Sequence, residues 1–135
     1  MRTKKNRREA RQYAFQLLFA NEFHSDQVDV QFPEGGDVPK DMDTEYAKSI
    51  VQGVLANQNT LDQQLQPFCK SRKVEHLDKV DRTILRLALW EMTNDRESLE
   101  PSITINEAIQ LAKVFGSDAS YKLVNAILDA YNKSK

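Results

Sequence analysis

Basic side chains are concentrated at the amino terminus of this 135-residue chain. The first eleven residues carry six of them against one acid, Glu9, which gives the segment a net charge of +5. The six are Arg2, Lys4, Lys5, Arg7, Arg8 and Arg11. Clustered lysines and arginines neutralise phosphates and release counterions, and arginine also stacks on unpaired bases. Residues 1–11, called the basic tip below, are therefore a candidate nucleic-acid binding site.

The basic tip has a second interpretation, as a solvated tail that only aids solubility. The other 124 residues hold 13 basic and 19 acidic side chains, so the total charge of -1 hides a basic tip on an acidic body. Composition alone favours neither nucleic-acid binding nor the solvated tail. The continuity of the tip with an amphipathic helix favours binding, because the helix would hold the arginines against a folded surface. Lys113 and Lys122 could extend this basic patch.

Residue types suited to catalysis or metal binding are sparse. His24 and His76 have no partners at metal-ligand spacing, so we interpret both as solvated surface residues. The chain has only four glycines and contains neither a phosphate-binding loop nor a nucleophile motif. Cys69 follows Phe68, and a small core residue is the better interpretation than a nucleophile. We therefore expect no catalytic residue, no metal and no cofactor, and a protein that is not an enzyme.

Four carboxylates are further candidates for a structural or a functional role. Asp78 and Asp81 frame the start of a predicted helix, where the helix dipole stabilises anions. Capping is one interpretation of this pair, and contact with a partner is the other. Glu91 and Glu107 have no acidic neighbour placed for general acid–base catalysis.

The composition also indicates where the protein works. A single cysteine allows no intrachain disulfide, which suits a reducing cytoplasm. No window approaches 18 uninterrupted apolar residues, and the basic start does not continue into a signal sequence. We expect a soluble, cytoplasmic protein without membrane spans.

Hydrophobic spacing predicts helices over most of the chain and no sheet, with five to seven helices in a single domain over residues 1–135. Residues 25–42 hold two of the four glycines and two of the four prolines, which predicts a loop. A long helix follows a cap at Asp43 and is bent or ended by Pro67. Asp78 is the candidate cap of a central, most buried helix, with Arg82 and Arg86 on its polar side.

The last two helices carry the clearest local signals. Thr104 and Glu107 have the spacing of a capping box, which predicts a helix start there. Gly116 is well placed to end that helix. Ser117 or Asp118 would cap the final helix, whose apolar stripe includes Tyr121, Val124, Ile127, Leu128 and Tyr131.

Four blocks of sequence, spread over nearly the whole chain, carry a family resemblance. They read RREARQYAFQLLF (7–19), VDRTILRLALWEM (80–92), INEAIQLAK followed by FG (105–116), and SYK with VN and IL (120–128). Together and in this order they resemble the NusB family of bacterial transcription antitermination factors. The resemblance implies an all-α fold of about seven helices, arranged as a compact bundle of two three-helix subdomains.

The resemblance also implies a function and the residues that perform it. Such proteins pair with NusE, a small-subunit ribosomal protein, and bind the single-stranded boxA element of nascent RNA. The complex helps the RNA polymerase elongation complex to resist termination, notably in ribosomal RNA synthesis. The matching RNA-binding residues are Lys4, Lys5, Arg7, Arg8, Ser120, Lys122 and Asn125, and those facing NusE are Phe19 and Asp81.

The chain departs from the family pattern at four positions. Leu123 stands where the family usually has a phenylalanine that contributes to the RNA surface, so ring stacking is lost there. Ala119 replaces a commonly acidic residue and Ala126 a usual glycine. Glu9 occupies a basic position of the arginine cluster, which should weaken phosphate attraction slightly.

Two other hypotheses belong to different functional classes. A similar helical domain precedes the catalytic domain of ribosomal RNA cytosine methyltransferases, although 135 residues leave no room for a cofactor-binding domain. A protein-only helical adaptor with an inert basic tip is the third hypothesis.

Overall fold

A computed structural model of the chain describes residues 7–23, 42–70, 72–94 and 100–135. Six α-helices dominate these residues, and no strand forms among them. The helices are α1 (Arg7–Asn21), α2 (Thr44–Ala56), α3 (Gln58–Leu65), α4 (Lys79–Asn94), α5 (Pro101–Phe115) and α6 (Ser120–Lys133). Two short 3-10 helices, Gln66–Phe68 and Val74–His76, lie between α3 and α4. The predicted all-α fold is confirmed.

Helix α4 is the centre of the fold, since it packs against each of the other five helices. Its apolar residues are almost completely buried, as the sequence predicts: Ile84, Leu85, Leu87, Ala88 and Leu89. Helix α1 packs on α2, and α5 packs on α6. Helices α1 and α2 therefore form one pair and α5 and α6 another, and α4 contacts both pairs.

The two aspartates predicted to cap helices do so. Asp43 precedes α2, and its Oδ1 accepts a hydrogen bond from the backbone N–H of Tyr46 at 3.1 Å. Asp78 precedes α4, and its Oδ1 accepts from the N–H of Val80 at 2.9 Å. Each carboxylate satisfies a helical N–H that would otherwise have no partner.

The single long helix predicted to run from Asp43 to Pro67 is wrong. The helix breaks at Asn57, between α2 and α3. The Asn57 side chain donates to the carbonyl of Gly53 at 2.8 Å, in competition with the helical backbone bonds. Pro67 lies further on, in the first 3-10 helix.

The capping signals near the end of the chain are also corrected. Helix α5 begins at Pro101, one turn before Thr104, because proline at the first helical position already has the helical φ. Glu107 is therefore inside the helix and free for other contacts. Helix α5 does end at Gly116, as predicted. Ala119 occupies the N-cap position of α6, where Ser117 or Asp118 was expected. No side chain caps the start of this helix.

The predicted loop at residues 25–42 lies outside the described residues except for Met42. Met42 is 2% exposed and packs with Ala10 of α1 and Ala47 of α2.

Candidate nucleic-acid interface

The basic tip enters the described structure at Arg7, the first residue of α1, so Lys4 and Lys5 lie outside it. The Arg7 guanidinium carbon lies 4.0 Å from the centroid of the Tyr46 ring. Its Nε lies 3.8 Å from Oδ2 of Asp43. A cation over an aromatic face is attracted by the ring quadrupole. These contacts hold the start of α1 against α2.

Arg8 makes a two-point contact with Glu107 of α5. Its Nε donates to Oε1 at 3.1 Å and its Nη2 donates to Oε2 at 2.7 Å. The Arg8 side chain is still 61% exposed, whereas that of Glu107 is 11% exposed. The hydrogen bond and then the charge of Glu107 raise the pKa of Arg8 above its ordinary value. Because two parallel hydrogen bonds fix the guanidinium plane, Arg8 faces solvent in one orientation.

Arg11 lies one turn further along α1 and is buried. Its Nε contacts both carboxylate oxygens of Glu91 on α4, at 2.8 and 3.0 Å, and its Nη1 donates to Oε1 of Glu107 at 3.3 Å. The Tyr46 hydroxyl donates to Oε2 of Glu91. Burial alone would lower the pKa of Arg11, but Glu91, Tyr46 and Glu107 together raise it. Such partners offset the desolvation cost of burying a guanidinium.

These contacts join four helices in one polar cluster. It consists of Arg7, Arg8 and Arg11 from α1, Asp43 and Tyr46 at α2, Glu91 from α4 and Glu107 from α5. We call it the anchor cluster. It fixes the amino-terminal end of α1 against the other three helices.

Sequence reasoning missed the anchor cluster, because it assigned Glu91 no role and Glu107 to a cap. A signal was present. Arg11 precedes Ala14 by three residues and Leu18 by seven, which places it with them on the buried face of α1. Glu91 likewise follows Leu87 by four residues on the most apolar helix. Opposite charges on buried faces indicate an internal ion pair.

The second group of predicted RNA-binding residues lies at the start of α6. Lys122 and Asn125 are exposed. Ser120 is only 3% exposed, and its Oγ accepts from the backbone N–H of Ser117 at 3.0 Å. Two of the three side chains are therefore accessible to a ligand, while Ser120 holds the turn between α5 and α6.

Side chains of α1 and α5 make contact between the two groups. Arg8 contacts Glu107 in the middle of α5, and the Phe15 ring stacks on Phe115 at its end, with centroids 4.6 Å apart. Lys113 is exposed and lies six residues after Glu107, roughly 9 Å along the helix axis. The anchor cluster therefore meets α5 near its middle, and α6 starts just beyond the end of α5.

Phe19, one of two residues predicted to face a protein partner, belongs to a line of aromatic rings. It stacks on Phe15 with centroids 5.7 Å apart and meets the edge of Phe23 at 5.2 Å. Phe19 is half-buried, and Phe23 is 62% exposed. The line of rings leads from the core to the surface at the carboxyl end of α1.

Asp81, the other predicted partner residue, lies in the first turn of α4 and is 8% exposed. No group among the described residues donates to its Oδ1. Burial, aided by the charge of Asp78, raises the pKa of Asp81. A hydrogen bond from Ser120 and the charge of Arg72 act in the opposite direction. Asp81 thus links the predicted partner surface to the predicted RNA element of α6.

The described residues offer little for other chemistry. They contain no group of three or more His, Cys, Asp or Glu side chains that could hold a metal ion. Cys69 is buried, as predicted, and burial followed by the charge of Asp62 raises the pKa of its thiol, which disfavours the thiolate. His76 is exposed, also as predicted, while His24 lies outside the described residues. None of the helices described is long and apolar enough to cross a membrane.

Comparison with known proteins gives a consistent result. The model of the NusB family matches residues 8–133. The transcription antitermination protein NusB of Cronobacter sakazakii is 42% identical over 126 residues, which cover 91% of this chain and 88% of that protein.

Two solved structures share the fold. A NusB structure from T. maritima is 29% identical, with a TM-score of 0.80, and the match covers 96% of this chain and 93% of that one. In a crystal structure of the antitermination factors NusB and NusE with double-stranded RNA, one chain is 23% identical with a TM-score of 0.74. That match covers 95% of this chain and 96% of the other, and it supports the fold alone.

Proposed function

Since this chain belongs to the NusB family, we propose that it is a transcription antitermination factor. In this proposal it binds boxA-type single-stranded RNA of nascent transcripts as a heterodimer with NusE, notably during ribosomal RNA synthesis. The observation that carries the proposal is the anchor cluster. It commits two acidic residues, Glu91 and Glu107, to holding an arginine-rich helix end in place at the surface.

RNA binding is assigned to the basic tip and the start of α6. Lys4, Lys5, Arg7 and Arg8 supply positive charge for phosphates, and this sequence-independent attraction provides much of the affinity for nucleic acid. Lys122 adds another cation and the exposed amide of Asn125 can donate to or accept from a base edge. Ser120 acts indirectly, since its buried hydroxyl holds the turn that positions the other two.

NusE binding is assigned to Phe19 and Asp81. Phe19 offers an apolar contact at the end of α1, and Asp81 offers a buried carboxylate oxygen with no donor among the described residues. A buried acceptor without a donor is costly, so a basic or N–H group of the partner would be favoured there. The acidic charge of residues 12–135, 13 basic against 19 acidic, also suits a basic ribosomal protein.

In this proposal the protein acts in the cytoplasm as part of the RNA polymerase elongation complex and catalyses no reaction of its own.

Titration of a fluorescent boxA-like RNA with the protein, with NusE and with both tests the proposal. We expect RNA binding that strengthens when NusE is present. A scrambled RNA of equal length and base composition is the control. Binding of NusE without any binding of RNA would instead identify a protein-only adaptor, and equal affinity for the scrambled RNA would remove the boxA assignment.

A further inference from the structure

Two lysine ammonium groups lie near the ring of Tyr121 at the junction of α5 and α6. The Lys113 Nζ is 5.3 Å from the ring centroid, and the Lys122 Nζ is 6.0 Å from it. Both lysines are exposed, and the ring is half-buried against the core. Sequence spacing assigned Tyr121 to the inward face of the last helix, but only part of its surface is covered.

An aromatic ring with cations beside it is the combination that binds single-stranded nucleic acid. Bases stack on the ring irrespective of sequence, because every base has a π-face, and the cations attract the phosphates on either side. The two lysines come from different helices, so a chain of nucleotides crossing the junction would meet a positive charge from each helix beside the ring.

We propose that Tyr121 stacks on an unpaired base of single-stranded RNA, with Lys113 and Lys122 binding its flanking phosphates. Leu123, two residues along α6, has no ring to offer. Tyr121 therefore supplies an aromatic surface that this chain lacks at Leu123. This inference rests on the proposed RNA-binding function and gives it a specific base contact.

The lysines do not block the ring. Each ammonium ends a flexible four-carbon stem and is fully hydrated, so either lysine can leave the ring for a phosphate when a base arrives. Lys113 also lies on α5 between the junction and Glu107, the partner of Arg8. A strand stacked on Tyr121 can therefore follow α5 toward the basic tip.

The test compares Y121L with Y121F in titrations of boxA-like RNA. We expect Y121L to weaken affinity roughly five- to hundred-fold, the usual range for losing one stacked base, and Y121F to stay within about two-fold of the wild type. Neither substitution changes charge, so the salt dependence of binding should be unaltered in both. The variants K113Q and K122Q should instead each reduce the slope of log affinity against log salt by about 0.7.

A second measurement uses the unmodified protein and does not depend on the folding of a variant. RNA carrying 5-iodouracil at successive positions is irradiated in complex with the protein, and the cross-linked residue is identified by mass spectrometry. A cross-link at Tyr121 supports the proposal. Cross-links that reach other aromatic residues only, or equal affinities for Y121L and wild type, would overturn it. If the wild type itself does not bind the RNA, the proposed function fails first.

Discussion

Arg11 and Glu91 are 80 positions apart in the chain and form an ion pair in the interior, with 2.8 Å between Nε and Oε2. Both side chains are at least 94% buried. This pair ties α1 to the central helix α4, and Glu107 extends the connection to Arg8 at the surface. The buried pair of Arg11 and Glu91 thus helps to position the candidate binding surface around Arg8.

Breaking this pair from one side should strongly destabilise the fold. In R11A the carboxylate of Glu91 stays buried without its guanidinium, and such losses cost about 3–5 kcal/mol. Urea unfolding followed by circular dichroism measures the change. K133A is the matched control, since its pair with Asp129 is exposed and should contribute only about 0–1 kcal/mol. A double variant, R11M with E91L, should recover much of the loss, because apolar residues replace both charges. Equal unfolding free energies for R11A and wild type would contradict the structural role of the pair.

Removing the surface arginines should weaken RNA binding mainly through electrostatics. For the double variant R7A/R8A we expect lower affinity and a slope of log affinity against log salt that is less steep by about 1.4 at most. Fluorescence anisotropy at four or more salt concentrations gives the slope. K133A, at the far end of α6, removes one positive charge elsewhere and should keep the wild-type slope. An unchanged slope in R7A/R8A would exclude these two side chains from the phosphate contacts.

Reversing the charge at Asp81 should impair pairing with NusE. The variant D81K replaces a buried acceptor with a cation facing a basic partner, and the loss should be about 2 kcal/mol or more of binding free energy. Isothermal calorimetry measures it, and circular dichroism checks that helical content is retained. E45K carries the same charge reversal at an exposed position of α2 and should bind NusE as the wild type does. Undiminished affinity of D81K would remove Asp81 from the interface.

Asp81 should also give the fold a pH dependence of predictable sign. Burial raises its pKa in the folded chain, so the folded state holds the proton more tightly than the unfolded state, whose value is near 3.8. The stability it contributes is therefore complete below pH 3.8 and is lost as the pH rises through the folded pKa. D81N lacks this titration, and we expect it to be at least as stable as wild type at neutral pH. Unfolding of both proteins at a series of pH values from below 3.8 to neutral tests this. A constant difference between them would refute it.

Apolar periodicity was sufficient to predict the all-α fold and the burial of the apolar residues from Ile84 to Leu89, because a helix with so many apolar residues must lie inside. Arg86, expected on the polar side of that helix, is only 6% exposed. Asp43 and Asp78 could be identified as caps, since capping is a local property of sequence. The break at Asn57 could not be predicted from the apolar stripe, which continues through Leu61 and Leu65. There, one side-chain hydrogen bond to Gly53 competes with the helix.

The candidate site was predictable only in part, because a cluster of charged residues in the sequence does not show which side chains they contact in the fold. Arg7 and Arg8 stood out as a basic cluster, yet nothing local indicated that Glu107, 99 positions from Arg8, holds that side chain. Thr104 and Glu107 matched a capping box, but Pro101 begins the helix earlier and releases Glu107 for its long-range contact. The role of Ser120 as a turn residue likewise depends on its burial, which spacing does not show.

Glu107 has consequences for how this protein can change over generations. The same carboxylate neutralises the buried Arg11 and orients the exposed Arg8. An inherited substitution there would alter fold stability and the proposed RNA-binding surface together, so selection on one trait necessarily acts on the other. Lineages in which the affinity for nucleic acid changes while the fold is kept should therefore accumulate substitutions at Lys113 or Lys122. Neither lysine has such a second role among the contacts described.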